Sequence, residues 1–147
     1  IPFASQAACV GLGCTCSAAS VPIPFGIYAP LSGATLTMNG NIAVTCSALL
    51  VGLNVSYVIT LNKGSSSTFT PRTMLNGAAQ MQYNLYTSPQ FANIWGDGTG
   101  GTVSRSDSYL LNLISVTRNY IVYGRVPGSQ NLPPGNYQDS ITATVTY

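Results

Sequence analysis

The stretch DSITATVTY (139–147) has the cleanest alternation of apolar and polar side chains in the sequence. Ile141, Ala143, Val145 and Tyr147 fall on one side of this alternation, and serine and threonine residues occupy the positions between them. Successive side chains of a β-strand point to opposite faces, so a period of two predicts a half-buried strand. The sequence therefore favours a β-sheet in which this strand faces a core.

The same apolar pattern recurs in four other stretches, of which the last is a mixed apolar strand: NIAVTC (41–46), VSYVITL (55–61), MQYNLYT (81–87) and NYIVYGRV (119–126). Gly- and Pro-rich turn signals separate the strands: PLSGA (30–34), MNGN (38–41), NKGSSS (62–67), LNGAA (75–79), GDGTGG (96–101), VPGS (126–129) and PPGNY (133–137). No stretch of helical length carries an uninterrupted apolar face. This organisation predicts an all-β antiparallel sandwich, formed by one domain over residues 1–147.

The composition excludes several classes of function. The chain has 147 residues, five Lys and Arg, three Asp, and neither His nor Glu, which gives a net charge of +2. So few cations argue against nucleic-acid binding, and no apolar run approaches the length of a membrane span. Without His, Glu or a close pair of carboxylates, no general base near neutral pH is available, so we predict no enzymatic activity and no cofactor.

Four cysteines, Cys9, Cys14, Cys16 and Cys46, predict disulfides and an oxidising compartment. A zinc site is disfavoured because Cys14 and Cys16 are separated by one residue and no His assists, so no metal is expected. Of the three possible pairings we favour Cys16–Cys46 with Cys9–Cys14. The alternative joins Cys14 to Cys46 and Cys9 to Cys16.

The stretch 139–147 also creates a structural problem, because it has the pattern of a central strand and nothing follows it in the sequence. An immunoglobulin-like sandwich needs one more strand beside it, and an unpaired apolar edge invites association. We therefore expect the last strand to be lacking or borrowed, and supplied by another chain or by a further segment.

Several motifs together resemble the spore coat protein U domain family, to which the subunits of archaic (Csu-type) chaperone–usher pili belong. The matching stretches are CSAASVPIPFGIYAPLSG (16–33), GNIAVTC (40–46), RTMLNG (72–77), MQYNLYTS (81–88), IWGDGTGGTV (94–103) and VYGRVPGSQNLPPGNYQDSITATVTY (122–147). The resemblance implies an incomplete immunoglobulin-like fold and passage through the periplasm with a chaperone and an outer-membrane usher. It also implies completion by a strand from an adjoining pilin domain or subunit.

Two departures from the family pattern suggest a tip subunit. The segment 1–13 contains Pro2, Gly11 and Gly13 and is expected to make a poor donor strand. Three segments expected to be polar loops are apolar instead: ACVGLGC (8–14), SALLVGLN (47–54) and YLLNLIS (109–115). They resemble the hydrophobic loops of Csu-type tip adhesins, and large exposed apolar patches mark interaction sites.

The resemblance therefore implies an extracellular pilus-tip adhesin that binds hydrophobic abiotic surfaces and promotes biofilm formation. The predicted contact residues are Val10, Leu12, Leu49, Leu50, Val51, Leu53, Leu110, Leu111, Leu113 and Ile114. The alternatives are a structural shaft or adaptor subunit, or an adhesin for a receptor or sugar. Asp97 in GDGTGG is expected to serve a turn rather than calcium, and Trp95 is expected to pack in the core.

Overall fold

The computed structural model describes residues 3–6, 13–21, 23, 25–28, 33–49, 52–112 and 114–147. These residues form strands and no helix, which confirms the all-β prediction. The strands are β1 (Phe3–Gln6), β2 (Thr15–Val21), β3 (Ile27–Tyr28), β4 (Leu36–Ser47), β5 (Leu53–Leu61), β6 (Arg72–Asn76), β7 (Ala79–Tyr86), β8 (Arg105–Leu111), β9 (Ser115–Val126), β10 (Gly135–Asn136) and β11 (Ala143–Thr146).

Two sheets pack face to face as a sandwich, and a short ribbon accompanies them. The larger sheet has the order β2-β4-β9-β7-β6, the smaller sheet has the order β1-β11-β5-β8, and β10 pairs with β3. All these pairings are antiparallel except that of β1 with β11. Within the described ranges there is no helix with the length and apolar character needed to cross a bilayer.

The core lies between the two sheets and follows the period-two pattern of the sequence. On β5, Val55, Tyr57, Ile59 and Leu61 are buried, as every second residue of a half-buried strand should be. Trp95 is also fully buried and donates its indole N–H to the carbonyl oxygen of Ile59 at 3.0 Å, so its predicted place in the core is confirmed. This rigid core determines where the connecting loops emerge.

The edge of β11, where the sequence predicted a missing strand, is occupied by the chain's own first strand. β1 runs parallel to β11, with Phe3 opposite Ala143 and Gln6 opposite Thr146. Four residues of the segment 1–13 thus pair with the last strand of their own chain, and the expectation that this segment is a poor donor strand for a neighbouring subunit stays a prediction.

The predicted turn MNGN (38–41) is wrong, because these residues continue β4 without interruption. Gly40 is buried, and a Cβ atom there would lie 2.6 Å from Cγ1 of Ile23 and 2.9 Å from the carbonyl oxygen of Val21. The glycine therefore serves close packing of the neighbouring segment against the sheet rather than a turn. The strands β2 and β8 were likewise not recognised in the sequence.

Candidate functional site: the apolar end of the sandwich

Two of the predicted apolar loops lie side by side at one end of the sandwich. They are the β4–β5 connection, residues 48–52, and the β8–β9 connection, residues 112–114. The backbone N–H of Ala48 donates to the carbonyl oxygen of Ile114 at 2.9 Å, and the N–H of Gly52 donates to the carbonyl oxygen of Leu111 at 2.7 Å. These two hydrogen bonds hold the loops together as one surface.

The side chains at the tips of these loops are exposed to solvent. Leu49 is 75% exposed, Ile114 is 65% exposed and Leu110, at the end of β8, is 49% exposed. Large aliphatic side chains in water carry an unfavourable hydration free energy, which contact with another apolar surface would relieve. We call the set Leu49, Leu110 and Ile114 the apolar end.

The segment that precedes β2 also reaches the apolar end. Gly13 has a φ of +68°, and a Cβ atom built on it would lie 2.7 Å from Cγ of Leu49. Glycine at this position therefore permits both the left-handed backbone and the close approach of Leu49. The predicted contact residues Val10 and Leu12, which come earlier in the same segment, lie outside the described residues.

Two of the predicted contact residues face inward instead. Leu111 is fully buried and Leu53 is partly buried against the core, and the two are opposite each other in the β5–β8 register. The sequence interpretation treated both as loop residues. Both lie on strands, Leu53 on β5 and Leu111 on β8. Successive side chains of a strand point to opposite faces, so Leu110 faces water while its neighbour Leu111 faces the core. Leu50, Val51 and Leu113, the remaining predicted contacts, lie outside the described residues.

A disulfide ties the edge strand to the sheet close to the apolar end. Cys16 on β2 and Cys46 on β4 are opposite each other and bonded, with an S–S distance of 2.04 Å, which is the pairing favoured from the sequence. The alternative, in which Cys46 pairs with Cys14, is not formed. Cys14 is itself disulfide-bonded, and Cys9 lies outside the described residues.

Tyr147 links the two sheets beside this disulfide. Its hydroxyl accepts a hydrogen bond from the backbone N–H of Cys16 at 2.9 Å and donates one to the carbonyl oxygen of the same residue at 3.1 Å. Both backbone groups of an edge residue are thereby satisfied by a side chain of the opposite sheet. The end of the sandwich that presents Leu49 is thus closed by a covalent bond and by hydrogen bonds.

A polar network that the sequence did not reveal lies between β5, β8 and β9. The hydroxyl groups of Tyr57 and Tyr120 are 2.5 Å apart, the hydroxyl of Tyr120 donates to Asp107, and Arg118 pairs with the same carboxylate at 3.0 Å. Burial raises the pKa of Tyr57 to about 12. Burial alone would also raise the pKa of Asp107, but hydrogen bonds from Tyr120 and Ser108 and the charge of Arg118 hold it below its ordinary value.

This network pairs the carboxylate of Asp107 with the guanidinium of Arg118, whose side chains are 20% and 44% exposed. No cluster of three or more His, Cys, Asp or Glu side chains suited to a metal occurs among the residues that the structure describes. Asp97 accepts hydrogen bonds from the N–H and hydroxyl of Thr99, which confirms its role in a turn. The chemistry available at the apolar end is therefore removal of aliphatic surface from water.

The sandwich fold and the exposed aliphatic side chains at one end define an all-β domain of the pilin-like kind. The model of the spore coat protein U domain matches residues 3–144, and the chain belongs to this family. It is similar to Protein U of Myxococcus xanthus, with 31% identity over 136 residues, which cover 84% of this chain and 70% of that protein.

The fold is also similar to a solved structure from Acinetobacter baumannii. That structure is the CsuC–CsuE chaperone–tip adhesion subunit pre-assembly complex from archaic chaperone–usher Csu pili. The TM-score is 0.59 with 20% sequence identity, and the match covers 91% of this chain but only 40% of the other. The two chains therefore share the sandwich fold, and this chain corresponds to less than half of the solved one.

Proposed function

We propose that the chain is a tip-adhesin domain of an archaic chaperone–usher pilus, spanning residues 1–147, and that it attaches to hydrophobic abiotic surfaces through its apolar end. The observation that carries the proposal is the exposure of Leu49, Leu110 and Ile114 at one end of the sandwich, where the β4–β5 and β8–β9 connections are hydrogen-bonded to each other. The fold it shares with the Csu complex supports a pilus context. In that context the chain crosses the periplasm with a chaperone and an usher and acts outside the cell, where attachment promotes biofilm formation.

The expected strength of one contact is modest. Burial of apolar surface contributes about 25 cal/mol per Å². Three side chains that each bury roughly 100 Å² would therefore give about 7 kcal/mol before the entropic costs of association. The bonded loops and the nearby disulfide limit the further cost of ordering the surface on contact. Many tips on one cell would then add avidity without requiring a specific ligand.

Attachment of piliated cells to polystyrene tests this proposal. The triple variant L49S/L110S/I114T should lose most attachment to polystyrene. Pili should still assemble, because these side chains are exposed and contribute little to the stability of the fold. The matched control is V21T, which also removes an exposed aliphatic side chain, 58% accessible, at the far end of β2. Equal attachment by the triple variant and wild type, or equal loss in V21T, would overturn the proposal.

A structural subunit of the pilus shaft is the second candidate, and the edge of β11 favours it. Among the residues that the structure describes, four residues of β1 pair with this edge, and a strand from an adjoining domain or subunit could replace so short a pairing. A shaft subunit would assemble into long fibres of this chain, whereas a tip subunit would appear once per pilus. Immunogold counting of the chain along isolated pili distinguishes the two functions.

A further inference from the structure

The outer face of the larger sheet carries a group of aromatic, amide and guanidinium side chains far from the apolar end. Asn39 of β4 and Tyr86 of β7 both lie opposite Tyr123 of β9, so these three side chains form a row across the sheet. Arg125 follows two residues later on β9 and therefore points to the same face, about 7 Å along the strand. Together with Phe91 we call this set the Tyr123 platform.

Phe91 forms a wall at one side of the platform. Its φ is +53°, a left-handed conformation that is unusual for an aromatic residue, and its N–H donates to the carbonyl oxygen of Ser88 at 3.1 Å. The Phe91 ring meets the Tyr86 ring edge-to-face with centroids 5.3 Å apart, and Cζ of Arg125 lies 5.3 Å from its centroid. The guanidinium is thus held against an aromatic face by a cation–π contact.

Arg125 has no carboxylate partner, although it is positioned by this contact. The three side-chain carboxylates are engaged elsewhere, by Thr99 at Asp97, by Arg118 at Asp107 and by Tyr83 at Asp139. In the described part of the chain, Arg118–Asp107 is the single ion pair. There the guanidinium of Arg125 and the hydroxyls of Tyr86 and Tyr123 also make no hydrogen bond, so their donors face solvent.

We propose that the Tyr123 platform binds acidic sugars of the hexuronate class. A planar carboxylate matches the bidentate donor geometry of the Arg125 guanidinium, and the apolar face of a pyranose ring can lie on the Tyr123 ring. Asn39 and the two tyrosine hydroxyls would reach the sugar hydroxyls. One cation at the edge of an aromatic row fits one carboxylate per sugar, whereas a nucleic acid would need several cations along its phosphates.

Retention of the full-length chain on immobilised polygalacturonate tests the site. Wild type should bind, and R125Q should weaken binding about tenfold or more, because a charge-assisted hydrogen bond is lost from a weak site. Y123L should weaken binding as well, since it removes the stacking ring while keeping an apolar side chain on the strand. The matched control is K63Q, which removes one exposed positive charge that is not part of the platform.

A ligand-side control avoids any effect of substitution on folding. Methyl-esterified polygalacturonate keeps the sugar rings but lacks the carboxylate charge, so wild type should not be retained on it. Absence of binding to polygalacturonate would overturn the proposal. Retention of wild type on the ester would also overturn the proposal. Equal weakening of binding by K63Q and R125Q would overturn it too, because it would show that only the net charge of the protein attracts the polymer. The apolar-end variant L49S/L110S/I114T should bind polygalacturonate normally, which separates this site from the proposed surface adhesion.

Discussion

The guanidinium group of Arg72 donates a hydrogen bond to Oδ1 of Asn84 at 2.9 Å, and both side chains are buried. The same guanidinium donates from Nε and Nη2 to the carbonyl oxygen of Asn62, at 3.0 and 2.8 Å, and from Nη2 to that of Trp95 at 2.8 Å. No carboxylate accepts a hydrogen bond from it. One buried cation thus connects β6 to β7 and to two loops.

The first prediction is that R72M destabilises the protein strongly. Methionine fills a similar volume but removes the guanidinium donor from three oxygen acceptors, of which Oδ1 of Asn84 and the carbonyl oxygen of Trp95 are in buried hydrogen bonds, at about 1–3 kcal/mol for each buried acceptor. We expect a loss of about 3–5 kcal/mol in the free energy of unfolding, measured by urea denaturation. The control R118M removes an arginine whose side chain is 44% exposed, and should cost about 1 kcal/mol or less. Similar losses of stability in the two variants would contradict the conclusion that the hydrogen bonds of Arg72 hold these elements together.

The second prediction concerns alkaline pH. Burial raises the pKa values of Tyr57, Tyr83, Tyr109 and Tyr120 above their ordinary value, to about 12 for Tyr57. The unfolded chain therefore releases these protons at about pH 10, where the folded protein still holds them. The free energy of unfolding should be unaffected below this pH and should fall as pH rises above it.

Urea denaturation between pH 8 and 12, with tyrosinate absorbance followed in the native protein, measures this effect. The variant Y57F removes one of the shifted groups and should show a shallower fall in stability. Titration of all nine tyrosines near pH 10 in the folded protein would contradict the prediction. So would unchanged stability up to pH 12.

The third prediction is that G40A is destabilising although Gly40 lies inside a strand, where alanine is normally tolerated. Its Cβ would meet Cγ1 of Ile23 at 2.6 Å and the carbonyl oxygen of Val21 at 2.9 Å, so the segment that follows β2 must move. We expect a cost of about 1–3 kcal/mol, as for other overpacked sites. The control G77A places alanine in an open β-turn, where the same measurement reports only the backbone strain of a φ of +60°. A smaller loss for G40A than for G77A would contradict the packing argument.

Gly40 also shows where sequence reasoning ends. Period-two alternation predicted the stretches 41–46, 55–61 and 81–87 as strands, because burial of one face leaves a local pattern. MNGN (38–41) has the composition of a turn, and only the packing of Ile23 shows why glycine is needed within a strand. The Asp107 network could not be predicted either, since its members come from different strands and meet only through the sheet register.

The apolar end was predictable in part. Two adjacent residues show which part was not: the sequence did not separate exposed contact residues from buried ones. YLLNLIS (109–115) indicated an apolar loop, but its first residues extend β8. The sequence contains no signal for where the strand ends, because the apolar run continues beyond it. The structure separates the exposed Leu110 from the buried Leu111.

The fourth prediction uses this pair of neighbours. L111S should destabilise the domain by about 2–5 kcal/mol, since it removes a fully buried side chain beside Leu53 and places a hydroxyl in the core. L110S makes the same chemical change on the opposite face of the same strand, where the side chain is 49% exposed, and should leave the urea midpoint nearly unchanged. L110S should nevertheless reduce attachment to polystyrene. If L110S unfolds the domain as readily as L111S, Leu110 belongs to the core and cannot serve as a surface contact.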